Sequence, residues 1–83
     1  MAFRVMYFAW MRERIGEASE VIDIKAATVQ DIVDHLRTRE ERYQLAFEDM
    51  SAVKVAVDQV LSDYDTPLKG GEEIAFFPPM TGG

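Results

Sequence analysis

Apolar and polar positions alternate from the first residues of the chain. In the segment from Phe3 to Ala9, Phe3, Val5 and Tyr7 fall on one face of an extended strand, and Arg4, Met6 and Phe8 fall on the other. That second face is unusually apolar for one that meets solvent. Met11-Arg12-Glu13-Arg14-Ile15-Gly16 reads as a short helical turn stopped by Gly16. Glu20-Val21-Ile22-Asp23-Ile24 reads as a second strand, antiparallel to the first through that connection. The period then changes. Val29, Ile32, Val33 and Leu36 recur at the spacing of a helix with one buried stripe. Thr28 offers an N-cap and Asp31 the acidic partner of a capping box, while Arg37 and Arg39 sit toward the negative end of the helix. Between Glu40 and Asp49, Tyr43 and Phe47 stand one helical turn apart, which fits a short second helix or a continuation of the first.

Strand character returns from Ala52 to Val57, where Val53, Val55 and Val57 share a face. Leu61 to Thr66 reads as a connecting segment, and Pro67-Leu68-Lys69-Gly70-Gly71 is turn chemistry. Glu73-Ile74-Ala75-Phe76-Phe77 is the last strand; Pro78-Pro79 ends it, because neither proline can donate to a ladder. A first hairpin, one crossing helix and a C-terminal strand predict a mixed sheet folded around that helix, with the outer strands free to run parallel. The expected class is α+β, a ubiquitin-like β-grasp. Residues 1–79 form the domain and residues 80–83 a flexible tail. Such a fold is compatible with many functions.

Size and charge narrow the choice. A chain of 83 residues buries only about 60–65% of its unfolded surface, so little material is left to wall an internal cleft. A carrier or adaptor working at its surface is the more natural reading. Apolar residues make up 48% of the chain, enough for a core and against disorder. The net charge of −6 repels phosphate backbones and anionic headgroups, which disfavours nucleic acid and membrane as partners. With no cysteine, a disulfide framework, a thiolate nucleophile and a Cys-ligated metal are excluded. No apolar run approaches the roughly 20 residues of a bilayer span, and no charged segment followed by an apolar one opens the chain. The expected location is the cytoplasm. No metal site and no bound cofactor are expected.

The chemistry gathers at the other end. Pro78-Pro79 favours a polyproline-type exit that directs the tail away from the sheet, and Met80-Thr81 extends its reach. Gly82-Gly83 then presents bare backbone to a channel too narrow for any Cβ. A free carboxylate is a poor electrophile. An ATP-dependent partner would convert the Gly83 carboxylate to an acyl-adenylate, a mixed anhydride open to an amine, a thiol or a sulfide. Without cysteine, the chain cannot supply sulfur itself.

Phe8-Ala9-x-x-Arg12-Glu13 near the start, and Gly71-Glu72-Glu73-Ile74-Ala75-Phe76-Phe77-Pro78-Pro79-Met80-Thr81-Gly82-Gly83 at the end, resemble the small subunit of molybdopterin synthase. The resemblance implies a sulfur carrier, a non-catalytic subunit in a heterotetramer with the large subunit. An E1-like adenylating enzyme would activate Gly83 with ATP, and a sulfur donor such as a cysteine desulfurase or a rhodanese-type protein would turn it into a thiocarboxylate. The tail would then enter the large subunit, where sulfur passes to cyclic pyranopterin monophosphate. By position, Phe8, Leu61 and Phe77 would form an apolar docking patch, Arg12 a partner contact, and Pro78, Pro79, Met80, Thr81 and Gly82 the inserted tail. Met80 departs from the family, where a β-branched residue is common.

Each assignment has a plainer counterpart. An aromatic on a strand is usually core, but parity sends Phe8 and Phe77 to the face opposite Phe3, Val5, Tyr7, Ile74 and Phe76, and a patch of outward aromatics points to a partner. Arg12-Glu13 is otherwise a solvated pair. His35 reads as a surface residue without a second ligand, and Gly70-Gly71 as a turn. Three other functions use the same features: sulfur supply for thiamine or tRNA thiolation, a ubiquitin-like modifier conjugated through Gly83, and a binding module with an inert tail.

Overall fold

The computed structural model describes residues 1–79; Met80 to Gly83, read from the sequence as the tail, lie outside them. The elements are β1 (Ala2–Tyr7), α1 (Trp10–Ile15), β2 (Ser19–Asp23), α2 (Val29–Arg37), α3 (Glu41–Ala46), a 3-10 turn (Met50–Ala52), β3 (Lys54–Val57), β4 (Val60–Ser62) and β5 (Glu73–Phe77). The five strands form one sheet in the order β2-β1-β5-β3-β4. β1 and β5 run parallel at its centre, and every other neighbouring pair is antiparallel. This is the mixed β-grasp sheet that the hairpin, the crossing helix and the C-terminal strand predict.

One face of the sheet is covered by helices. Phe3, Val5 and Tyr7 of β1, Val55 of β3 and Ile74 and Phe76 of β5 are buried against Val29, Ile32, Val33 and Leu36 of α2. The helix begins where expected: the Asp31 carboxylate accepts from the backbone N–H groups of Ala27 (2.8 Å) and Thr28 (3.2 Å), two donors that the helix cannot satisfy itself. The ambiguous segment resolves into α3. Tyr43, Ala46 and Phe47 turn one buried face inward, and Phe47 meets Phe76 edge-on at 5.0 Å.

A polar cluster ties this helix to the sheet. Glu20, on the helix-facing side of β2, accepts from Tyr7 (2.9 Å) and Tyr43 (2.6 Å) at one oxygen and from Arg39 (2.8 Å) at the other. Burial alone would push the Glu20 carboxyl up, but the hydrogen bonds from Tyr43, Arg39 and Tyr7 outweigh it and hold the acid below its ordinary range. Burial, and then the bond to Glu20, push the Tyr43 phenol up to about 12. Arg39 therefore differs from expectation. It lies past the C-cap Thr38 and serves Glu20, with its guanidinium 5.2 Å from the Tyr43 ring centre.

Boundaries also shift: the strand expected from Ala52 starts at Lys54, because Met50–Ala52 close into a 3-10 turn. The segment read as a connection, Leu61 to Thr66, overlaps β4, which is joined to β3 by Asp58-Gln59 with both residues at positive φ (49° and 69°). That is the primed-turn arrangement of a tight hairpin, formed without the glycine that normally announces it. Asp58 compensates by exchanging two bonds with Glu73: its N–H donates to the Glu73 carbonyl (2.8 Å) and its side chain accepts from the Glu73 N–H (2.9 Å). β1 ends at Tyr7 instead of Ala9, because the chain reverses hand at Ala9 to start α1.

Candidate functional site

The other face of the sheet carries no helix, and strand alternation decides what it displays. β1 contributes Arg4, Met6 and, just past its end, Phe8; β5 contributes Glu73, Ala75 and Phe77; β3 contributes Lys54 and Ala56; β4 contributes Leu61. The register sets these side by side. Met6 pairs with Ala75, Ala75 with Ala56, and Ala56 with Leu61, so one apolar row crosses four strands. At strand spacings of about 4.8 Å, that row spans roughly 14 Å.

The aromatic pair lies at one end of the platform. Tyr7 pairs with Phe76, which brings Phe8 and Phe77 next to one another on the outer face, and the Phe8 N–H still donates to the Phe76 carbonyl at 3.1 Å. Lys54 stands opposite Phe77 on the other side. Phe8 is 43% exposed and Leu61 is 71% exposed, while Phe77 is half-buried between its neighbours. The parity argument therefore holds for both aromatics, and Leu61 joins them on the same face. Arg12 does not lie on the sheet. It is exposed on α1, four residues after Phe8, and forms no ion pair among the described residues. Pro78 and Pro79 are half-buried where β5 leaves the sheet beside Phe8. Met80, Thr81, Gly82 and Gly83 lie outside the described residues.

Three members of the row escaped the sequence reading of the site. Met6 was placed on the outer face without a role, and Ala56 and Ala75 gave no signal of their own. The signal available was negative: Val55-Ala56-Val57 and Ile74-Ala75-Phe76 have an alanine at the outward position where a strand with one wet face usually has a polar residue. Small residues at the centre keep the floor flat, with bulk at its two ends.

The apolar row and the aromatic pair carry no nucleophile, acid or base. The surface depression of about 370 Å³ between α1 and α3 is lined by Arg14, Arg42 and Leu45, with no nucleophile or base among them. His35 is half-buried on α2 and not fully at the surface as expected. No helix among the described residues is long and apolar enough to cross a membrane. Fold and face together define a small β-grasp domain with one open, largely apolar sheet face.

Comparison with known proteins places it more closely. The sequence matches the ThiS family over residues 5–83, and the chain belongs to that family. It is 39% identical over 80 residues to the molybdopterin synthase sulfur carrier subunit of Escherichia coli (strain K12), covering 96% of this chain and 98% of that one. Its fold is similar to a putative molybdopterin converting factor, subunit 1, from Pyrococcus furiosus, with a TM-score of 0.78, 28% identity and 96% and 99% of the two chains covered. It is also similar, with a TM-score of 0.67, 27% identity and both chains fully covered, to a chain in a protein–protein complex of subunits 1 and 2 of molybdopterin-converting factor from Helicobacter pylori 26695.

Proposed function

We propose that this chain is the sulfur carrier of a molybdopterin synthase, loaded at Gly83 and docked on the large subunit through its open sheet face. The observation that carries the reading is the position of Phe8 and Phe77, paired at the point where β5 leaves the sheet toward Gly82-Gly83. A partner seated on that pair lies next to the last described residues, Pro78 and Pro79, from which the chain continues to Gly83. The near full-length likeness to a sulfur carrier subunit supports the same conclusion, as does a solved complex of subunits 1 and 2 that contains a chain of this fold.

The chemistry belongs to the partners. An adenylating enzyme joins the Gly83 carboxylate to AMP and releases pyrophosphate. A persulfide sulfur from the donor then displaces AMP to give an acyl disulfide, and a thiol reductant cleaves its S–S bond, releasing the thiocarboxylate and taking the donor's thiol into a disulfide. In the large subunit, sulfur leaves Gly83 for cyclic pyranopterin monophosphate, and water restores the carboxylate. The carrier contributes reach, orientation and a terminal carbonyl.

Intact-mass measurement after incubation with the cognate adenylating enzyme, ATP and sulfur donor should show one oxygen exchanged for sulfur at Gly83. An unchanged mass beside an enzyme that loads another carrier would end the proposal. Docking has its own test. Phe8→Ala and Phe77→Ala should each weaken binding to the large subunit by about 1–3 kcal/mol. Phe8→Ala should hardly move the melting temperature, since that ring is already 43% exposed. Full affinity combined with a collapse in stability would make both aromatics core residues.

A further inference from the structure

We propose that Ala9 is a positioning residue for docking: in a bend its neighbours impose, its methyl limits the movement of Phe8 beside Phe77. The inference rests on the docking reading above. Ala9 has φ 53° and ψ −133°, a region that L residues other than glycine seldom enter. It is the mirror image of ordinary extended polyproline backbone, so the conformation would suit a D residue. Elsewhere the chain meets positive φ with residues that tolerate it more readily. Gly16, Gly70 and Gly71 do so without a Cβ, and Asp58 and Gln59 do so within a tight hairpin turn. At position 9 it uses an alanine.

Both sides of Ala9 are pinned, which is why the strain persists. Upstream, the Phe8 N–H is bound to the Phe76 carbonyl at 3.1 Å. Downstream, the Met11 N–H donates to the Phe8 carbonyl (3.2 Å), the Arg12 and Glu13 N–H groups donate to the Ala9 carbonyl (3.1 and 3.4 Å), and the Met11 side chain is fully buried. The bend is therefore imposed by its neighbours. Glycine would accept it without strain, but would also let the Phe8–Ala9 peptide rock between several orientations. With the flanking bonds excluding the negative-φ alternatives, the alanine methyl narrows the positive-φ range that is left, so the exposed Phe8 ring reaches the partner already ordered. An ordered ring loses less freedom on binding.

The test compares Ala9→Gly, a synthetic chain with D-alanine at position 9, and Ala9→Gly in a Phe8→Ala background. Melting temperature and calorimetric affinity for the cognate large subunit are measured for each. Ala9→Gly should melt at or above the wild type yet bind about two- to tenfold more weakly, the scale of ordering one side chain. D-alanine, which is unstrained and still restricted, should raise the melting temperature and keep full affinity. With Phe8 truncated, Ala9→Gly should cause no further loss. Wild-type affinity for Ala9→Gly while Phe8→Ala is impaired would overturn this inference alone, as would an equal loss in both backgrounds. Failure of D-alanine to restore affinity would overturn it too. Wild-type affinity for Phe8→Ala would reject the docking reading and this inference together.

Discussion

Glu20→Ala should lower the melting temperature by roughly 10–20 °C, the equivalent of about 2–3 kcal/mol in a domain of this size. The cost comes mainly from what remains after the side chain has gone. Tyr7 and Tyr43 are buried residues whose hydroxyls both point at one Glu20 oxygen, at 2.9 and 2.6 Å. Without that acceptor the two phenols compete for whatever water can enter. Arg39 loses its anchor and α3 loses its tie to the sheet edge. Glu20→Gln keeps the volume and one acceptor but turns an N–H₂ toward a donor, so its loss should be intermediate. The pH dependence carries a sign. The Glu20 carboxyl titrates below its ordinary value of 4.5 in the folded chain. Its stabilisation is therefore complete above that value and disappears as pH falls through the lower, folded one. Urea melts between neutral and acid pH should show the gap between wild type and Glu20→Gln closing on the acid side. A constant gap, or a Glu20→Ala protein that melts with the wild type, would mean the cluster does not hold α3.

What could be read in the sequence was whatever is determined locally. The alternation in Phe3 to Phe8 and the stripe of Val29, Ile32, Val33 and Leu36 each report their own buried face, and those elements appear where expected. Asp31 announced the helix start because its partners, Ala27 and Thr28, are within four residues. The Glu20 cluster was invisible because its donors are 13, 19 and 23 residues away. The turn at Asp58-Gln59 has no glycine, and its support comes from Glu73, on a strand that arrives later in the chain. Ala9 could not have been found by propensity, since alanine argues against its own conformation and only the pinning on both sides explains it. Of the proposed docking face, Phe8 and Phe77 followed from parity, and Leu61 from family resemblance. The Ala56–Ala75 floor that joins them needed the strand order.

Gly82→Val, or one residue added after Gly83, should abolish sulfur transfer while leaving the melting temperature nearly unchanged. Position 82 is five residues past Phe77, the end of the last strand, and is separated from it by Pro78-Pro79. A substitution that far along the chain from the core is expected to act as a surface change, which usually stays within about 0.5 kcal/mol. Transfer makes a different demand. The proposed route passes the tail through a partner channel shaped for bare backbone, where a branched Cβ meets the walls. An appended residue displaces the reacting carbonyl by about 3.3–3.6 Å, whereas a misplacement of only ~1 Å can cost on the order of a hundredfold in rate. The two variants therefore fail for separate reasons, one by steric exclusion and one by position. Melting curves measured beside single-turnover product formation distinguish both from misfolding. Starting the Gly82→Val reaction from chemically prepared thiocarboxylate removes the activation step, so a remaining block must lie in the large subunit. Wild-type turnover by Gly82→Val would show that the tail is not threaded through a narrow channel, and delivery would then have to occur at the open face itself.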